Sequence, residues 1–182
     1  MKKRVNILGK TFELSISEQK IANAVKTMAN QLNHDFSNSD KEILFLGILN
    51  GSFMFAADLF RQITFPCKIT FLKLASYQGT HSTGVVRSLI GINENLKNKI
   101  VIVLEDIVDT GETLENITCQ LKGYEPFEIK LATFLFKPDA YKKNITLDYV
   151  GMKIPNDFIV GYGLDYDGYG RNLPEIYSLV NK

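Results

Sequence analysis

The chain has 182 residues, of which 45% are hydrophobic and 23% are charged, and these proportions are typical of a globular protein rather than a disordered one. Its 21 lysines and arginines nearly balance its 20 aspartates and glutamates, so the net charge is +1. That balance argues against a nucleic-acid partner and against attachment to an anionic membrane. No internal repeat or linker divides the sequence, and we expect one domain over residues 1–182.

The termini and the cysteines indicate a cytoplasmic protein. The basic N-terminus is not followed by the apolar stretch of a signal peptide, and the longest apolar runs, such as 100–104, have the length of strands. We therefore predict no transmembrane helix. Cys67 and Cys119 are too few for a disulfide framework and lack a metal-ligand pattern, so we expect two reduced thiols.

The first third of the chain predicts a helix, a buried strand and a second helix. Ser17 is a candidate N-cap for a helix over 17–33. The apolar residues that recur there at helical spacing are Ile21, Val25, Met28 and Leu32. The continuous apolar run 43–49 is typical of a strand covered on both faces, and it ends at the turn signal 50–52. A second helical pattern follows over 53–63.

The remaining pattern alternates strands with loops and one further helix. Strands are predicted at 68–76, 85–90, 99–104, 127–136 and 158–160. The polar, glycine-bearing segment 77–84 is expected to be a mobile loop. A helix is predicted after 104, with Leu114, Ile117 and Leu121 on one face. The fold class is therefore α/β, with a mainly parallel central sheet flanked by helices, in which ligands bind at the carboxyl ends of the strands.

The segment 101–114 carries the strongest chemical signal. An apolar strand is followed by Glu105 and Asp106, then by a turn rich in hydroxyls and glycine, and then by a helix. Unpaired backbone N–H groups and the helix dipole favour an anion at such a junction. Gly111 permits close approach of the backbone to the anion, while Thr110 and Thr113 can donate hydrogen bonds. This combination predicts a phosphate site.

The acidic residues of this segment suit a sugar phosphate. Glu105 and Asp106 could bind ribose hydroxyls directly or through Mg²⁺, and Asp109 lies where a general base would be useful. The alternative is a helix without a ligand, in which Asp109 or Thr110 caps the N-terminus and the acids complement the helix dipole. This alternative would explain Asp109 or Thr110 alone. It does not explain two acids at the end of a buried strand, which have no packing reason to be there.

These features resemble the phosphoribosyl pyrophosphate signature of type I phosphoribosyltransferases. Over roughly residues 10–180 the chain resembles the hypoxanthine-guanine phosphoribosyltransferases, the segment 49–52 being similar to their pyrophosphate loop. Ser76 and Tyr77, with 82–84, resemble their flexible catalytic loop, at about 76–84. Lys137 stands at their purine-reading lysine, and 158–166 with Arg171 resembles their base and pyrophosphate site. The resemblance implies their fold, with a small hood formed by the N- and C-terminal segments.

The resemblance also implies roles for individual residues. Asp109 is the expected catalytic base. The expected phosphoribosyl pyrophosphate site comprises Asn50, Gly51, Glu105, Asp106, Asp109, Thr110, Gly111, Glu112, Thr113 and Arg171. The expected purine site comprises Ile107, Lys137, Phe158, Ile159, Leu164 and Asp165. The expected Mg²⁺ ligands are Glu105, Asp106 and Asp165, and Ser76 and Tyr77 belong to the flexible loop.

The implied activity is Mg²⁺-dependent transfer of a phosphoribosyl group to hypoxanthine or guanine, in a homodimer or homotetramer. Lys137 would select a 6-oxopurine through its ring carbonyl. Asn50 replaces a basic residue frequent in the family, and Glu112 replaces a lysine found in some members. A xanthine-preferring enzyme and an RNA-binding regulator on the same fold are alternatives, although the regulator needs a basic face. A dinucleotide-binding oxidoreductase is disfavoured because no Gly-x-Gly-x-x-Gly is present.

Overall fold

The computed structural model describes residues 3–74 and 88–180, with the side chains of 3–73 and 91–180. The elements in chain order are β1 Arg4–Ile7, β2 Lys10–Ile16, α1 Glu18–Phe36, β3 Ile43–Leu49, α2 Phe53–Phe60, β4 Lys68–Leu74, β5 Ser88–Ile90, β6 Ile100–Val108, α3 Glu112–Lys122, β7 Glu128–Phe136, β8 Tyr149–Lys153, β9 Ile159–Val160 and β10 Ile176–Leu179. Ser76, Tyr77 and the rest of the predicted loop at 76–84 lie outside the described residues, as does 85–87.

Within the described residues, six strands form the central sheet in the order β5-β4-β3-β6-β7-β8, and all adjacent pairs are parallel except β4 with β5. Alternate residues of β3 enter different cores. Ile43 and Phe45 pack in a cluster with residues of α1 and α2, whereas Leu44 and Leu46 pack in a cluster with residues of α3. Because both faces of β3 are covered, its sequence is apolar at every position. This arrangement confirms the predicted α/β class.

The order of the strands places a topological switch point between β3 and β6. The chain leaves β3 towards β4 on one side and leaves β6 towards β7 on the other. The two connections therefore diverge, and a crevice opens beyond the carboxyl ends of β3 and β6. The loops at these two ends are 50–52 and 109–111.

A second, four-stranded sheet of order β1-β2-β10-β9 joins the two ends of the chain. Its small core is formed by Phe12, Val160 and Tyr177, which are at most 1% exposed. The sheet confirms the predicted hood of N- and C-terminal segments. Within the described residues, no helix is long and apolar enough to cross a membrane.

Several predicted boundaries are wrong. α1 continues to Phe36, beyond 33, and α2 ends at Phe60, before 63, where turn bonds such as Gln62 N to Leu59 O replace the helical pattern. β6 continues past Leu104 to Val108, because its ladder with β7 persists at Glu105 and Ile107. Glu105 and Asp106 therefore lie within the strand and not after it.

Candidate active site

Glu105 and Asp106 bring two carboxylates together near the end of β6. Glu105 is 8% exposed, and its Oε2 has no hydrogen-bond partner among the described residues. Burial, with repulsion from Asp106, raises the pKa of Glu105 well above its ordinary value. Burial also raises the pKa of Asp106 to about 6, although Asp106 accepts a hydrogen bond of 3.0 Å from the backbone N–H of Ile107. Burial of the two carboxylates is thus not offset by their surroundings, and a cation or hydroxyl donors would stabilise the charged forms.

The loop after β3 lies directly against this acidic pair. A Cβ at Gly51 would overlap with the carboxylate of Asp106, so any other residue there would displace that carboxylate. The peptide bond at the start of this loop, Leu49–Asn50, is cis. Ser52 is fully buried, and its hydroxyl donates a hydrogen bond of 2.6 Å to the carbonyl of Ile48. The loop is therefore fixed at the switch point beside Asp106.

A third segment, 161–171, completes this side of the crevice. Gly163 has a φ of 95°, and a Cβ there would overlap with the carbonyl oxygen of Gly51. Arg171 donates a hydrogen bond of 2.7 Å to the carbonyl of Gly163 and forms an ion pair of 2.6 Å with Asp165. Arg171 lowers and Asp165 raises the pKa of Asp106, so both charges act on the acidic pair. Five predicted site residues, Gly51, Glu105, Asp106, Asp165 and Arg171, are thus brought together.

The predicted phosphate loop encloses a pocket. A cavity of about 250 Å³ is lined by Glu105 and by residues 107–114. Gly111, with a φ of 88°, is the N-cap of α3, where backbone N–H groups are available to an anion. Thr110 and Thr113 are among the lining residues, and Glu112 is exposed to solvent. The loop can therefore hold a phosphate as the sequence indicates.

Asp109 and Lys137 form an ion pair between the ends of β6 and β7. Lys137 Nζ lies 3.1 Å from Asp109 Oδ2, and the lysine side chain is 9% exposed whereas that of Asp109 is 47% exposed. The backbone N–H of Lys137 donates a hydrogen bond of 2.9 Å to the carbonyl of Val108. The pair places a nearly buried cation and an accessible carboxylate beside the phosphate pocket.

The sequence model of the phosphoribosyl transferase domain matches residues 15–167. The chain belongs to the phosphoribosyltransferase family. A hypoxanthine-guanine phosphoribosyltransferase of Staphylococcus epidermidis is 42% identical over 165 residues, which are 90% of this chain and 91% of that protein. A hypoxanthine phosphoribosyltransferase of Buchnera aphidicola is 37% identical over 173 residues, 94% of this chain and 98% of that protein.

A similar structure supports the same membership. The crystal structure of a hypoxanthine-guanine phosphoribosyltransferase from Bacillus anthracis superposes with a TM-score of 0.85 at 42% sequence identity. The match covers 92% of this chain and 98% of that one. The fold of this phosphoribosyltransferase is therefore that of its relatives over nearly the whole chain.

The predicted purine residues of this phosphoribosyltransferase come from both parts of the fold, with Ile107 on β6 of the central sheet and Ile159 on β9 of the hood. Phe158 is 47% exposed, and its ring centroid is 6.3 Å from that of Phe12 and 5.8 Å from that of Tyr166, both in the hood. Ile159 and Leu164 are buried, and Ile107 is half-buried in β6. The exposed face of Phe158 is available to a ligand, whereas the side chains of Ile159 and Leu164 belong to the core.

The acidic residues of this phosphoribosyltransferase fit a cation that also binds a substrate. Among the described residues, no three carboxylates, histidines or cysteines are grouped closely enough to hold a metal alone. The unpartnered Oε2 of Glu105 and the raised pKa of Asp106 nevertheless suit Mg²⁺, which binds through one or two carboxylates and takes further oxygens from substrate phosphates.

Two contacts that support the site were absent from the sequence prediction. The first is the contact of the Gly163 backbone with that of Gly51, although Gly163 lies within the predicted segment 158–166. The second is the contact of Gly111 with the segment 141–143: a Cβ at Gly111 would lie 2.5 Å from Tyr141 Cε2 and 2.9 Å from Lys143 Cγ. The run Gly161-Tyr162-Gly163 indicates a special backbone conformation, but no local signal identifies Tyr141 or Lys143 as neighbours of the phosphate loop.

Proposed function

We propose that this phosphoribosyltransferase acts in purine salvage and transfers the 5-phosphoribosyl group from phosphoribosyl pyrophosphate to hypoxanthine or guanine. The products are IMP or GMP and pyrophosphate. The names of the relatives support the choice of substrates. The observation that carries the proposal is the Asp109–Lys137 pair beside a phosphate pocket and an acidic pair, because this set of groups matches a 6-oxopurine, a phosphate monoester and a ribose.

The donor would occupy the crevice between the loops after β3 and β6. Residues 109–113, including Thr110, Gly111, Glu112 and Thr113, would surround the 5′-phosphate. Glu105 and Asp106 would accept hydrogen bonds from the ribose hydroxyls, and such bonds favour the charged form of each carboxyl. The raised pKa values of both carboxyls support this assignment, since bound hydroxyls or a cation would relieve the repulsion.

Mg²⁺ would be held by Glu105, Asp106 and Asp165, together with donor oxygens, and would neutralise the charge of the departing pyrophosphate. Asn50 and Gly51 would contact pyrophosphate through their backbone. Arg171 would contribute the positive charge on the opposite wall. Asn50 carries no charge. Arg171 would therefore supply a larger share of the binding energy for pyrophosphate than the corresponding arginine does in relatives with a basic residue at position 50.

Asp109 and Lys137 would act on the purine. In the ligand-free chain the two residues neutralise each other at 3.1 Å. A 6-oxopurine would offer its carbonyl oxygen to Lys137, which would leave Asp109 to accept the proton from N7. The bond from ribose C1 to the pyrophosphate oxygen breaks while a bond from C1 to N9 forms. Adenine presents an amino group to Lys137 in place of the carbonyl oxygen. The nearly buried ammonium group would then lack an acceptor, and adenine would be excluded.

The remaining predicted purine residues would define the edges of the base site. Phe158 would stack on the base with its exposed face, with Ile107, Ile159, Leu164 and Asp165 around the base. The proposal further includes one phosphoribosyltransferase domain over 1–182, a homodimer or homotetramer, and a cytoplasmic location. The free thiols of Cys67 and Cys119 suit a reducing compartment.

The test is nucleotide formation by the purified chain with Mg²⁺ and phosphoribosyl pyrophosphate. Hypoxanthine, guanine, xanthine, adenine and uracil are supplied separately. We expect turnover of hypoxanthine or guanine, a large loss of kcat in Asp109→Asn, and little change in Asp139→Asn, a control at an exposed aspartate two residues from Lys137. A preference for xanthine would correct the assigned substrate. No turnover of any base would refute the proposal, and retention of RNA at low salt would then favour a regulator.

A further inference from the structure

Tyr162 adopts a backbone conformation that is uncommon for a bulky side chain. It has a φ of 51° and is 4% exposed. Its hydroxyl donates a hydrogen bond of 2.8 Å to Asp58 Oδ2, and burial, followed by this bond, raises the pKa of Tyr162. The hydroxyl therefore stays protonated and remains a donor. A strained conformation persists only where its surroundings determine it.

The hydrogen bond joins the segment 161–171 to the helix that follows the first loop of the proposed pyrophosphate site. Asp58 lies on α2, which begins at Phe53, directly after the loop that contains Gly51. The ring of Tyr162 packs on Phe134 of β7, with ring centroids 5.1 Å apart. Tyr162 therefore ties the segment 161–171 to the helix behind the first loop and to the central sheet.

Gly163, the residue after Tyr162, makes the contact with the first loop that depends on the Tyr162–Asp58 hydrogen bond. Gly163 lies so close to the carbonyl oxygen of Gly51 that a Cβ would overlap with it. The carbonyl of Gly163 accepts the hydrogen bond from Arg171, and Arg171 holds Asp165. A shift of Tyr162 would move Gly163, and with it the Asp165–Arg171 pair, relative to Gly51.

We propose that Tyr162 is a positioning residue, whose hydrogen bond to Asp58 sets the separation between the first loop and the Asp165–Arg171 pair. This inference rests on the proposed function, and it concerns the pyrophosphate end of the donor. The purine end should respond less, because Lys137 and Asp109 are held by the ends of β7 and β6, although Leu164 and Asp165 of the proposed purine site lie in the segment 161–171.

The chain contains a matched control for this hydrogen bond. Tyr149 is 7% exposed, and its hydroxyl donates a hydrogen bond of 2.7 Å to Asp35 Oδ2. This bond joins β8 to α1, and neither residue belongs to the proposed site. Tyr149→Phe and Tyr162→Phe thus remove the same group from the same kind of partner, and only one of the two bonds lies behind the pyrophosphate site.

The experiment measures steady-state kinetics of the full chain and its variants with Mg²⁺. We expect Tyr162→Phe to raise the KM for phosphoribosyl pyrophosphate and the inhibition constant of pyrophosphate by about tenfold, and to leave the KM for the purine within about twofold. Tyr149→Phe should leave all three constants within about twofold. Asp58→Asn retains an acceptor oxygen and should raise the donor KM by about threefold.

The outcomes separate this inference from the proposed function. Equal constants in the two phenylalanine variants, or an effect confined to the purine KM, would overturn the inference while the wild-type activity still stood. If Tyr162→Phe does not fold, an unchanged donor KM in Asp58→Asn overturns it instead. Absence of turnover in the wild-type chain would refute the proposed function itself, and with it the inference.

Discussion

Gly163→Ala should damage the enzyme much more than alanine at Gly9 or Gly168, two glycines with positive φ and open space around them. The change imposes two costs. A left-handed backbone conformation is disfavoured for alanine by roughly 1–2 kcal/mol. The added Cβ would also overlap with the carbonyl oxygen of Gly51, which belongs to backbone and has no flexible side chain to move aside. The first loop and the segment 161–171 must then separate, by on the order of 1 Å.

Gly9→Ala and Gly168→Ala isolate the first cost. These glycines have φ of 77° and 83°, and a Cβ at either position would have no heavy atom within 4 Å. Each control should therefore lose roughly 1–2 kcal/mol of unfolding free energy. Gly163→Ala should lose about 3–4 kcal/mol, because steric overlap in a packed region is added to the conformational strain.

The effect on activity should be larger still. A displacement of about 1 Å near the reacting groups can reduce the rate by about 10²-fold. We expect kcat/KM for phosphoribosyl pyrophosphate to fall by at least about 10²-fold in Gly163→Ala, which corresponds to about 2.7 kcal/mol. In Gly9→Ala it should change by no more than about twofold.

Urea unfolding curves measure the stability of each variant, and initial rates of nucleotide formation measure kcat/KM. Equal losses of stability and activity in Gly163→Ala and the two controls would refute the reasoning. That result would mean that the contact between Gly163 and Gly51 does not constrain the site.

Three further predictions concern charge. Lys137→Met should reduce kcat/KM for hypoxanthine by about 10²-fold or more, because it removes the donor to the 6-oxo group and leaves Asp109 unpaired. The control Lys97→Met breaks an exposed ion pair with Glu125 and should change kcat/KM by less than about twofold. Burial raises the pKa of Asp106 from 3.8 to about 6, so the folded ligand-free chain binds more protons than the unfolded chain between these pH values. Its unfolding free energy should therefore decline as the pH rises from about 4 to about 6, and urea titrations of Asp106→Asn should lack this part of the decline. Chelation of Mg²⁺ with EDTA should abolish nucleotide formation and leave the melting temperature of the ligand-free chain unchanged; continued turnover would contradict the assigned ligands.

The central sheet was predictable because each buried strand has a simple signature. β3 and the first part of β6 are covered on both faces, so every residue is apolar and the strands stand out. The extension of β6 to Val108 was missed because two consecutive acids, Glu105 and Asp106, interrupt the apolar run while the ladder to β7 continues. In β2, Phe12, Leu14 and Ile16 alternate with polar residues, and this period of two is a strand signal that the prediction overlooked.

The chemical groups of the site were predictable, but the contacts that hold these groups in place were not. The segment 101–114 contains its acids, hydroxyls and glycine within one motif, so the spacing alone indicates a phosphate site. The contacts that hold the walls together join distant parts of the chain: Tyr162 and Asp58 are 104 residues apart, and Lys137 and Asp109 are 28 apart. The first pair depends on the packing of α2 against the rest of the fold and the second on the pairing of β6 with β7, and no local pattern in either partner indicates these contacts.

The charges of the site explain how a chain with a net charge of +1 can bind a highly anionic donor. Lys137 and Arg171 are already paired with Asp109 and Asp165, so neither cation is free to attract phosphate from a distance. Glu105 and Asp106, in contrast, repel each other and would repel the donor. In the proposed function, binding would therefore combine a cation at the acidic pair with an exchange of partners by Lys137 and Arg171. It follows that selectivity arises at contact distance, where geometry distinguishes a phosphoribosyl donor from other polyphosphates, and not from long-range attraction.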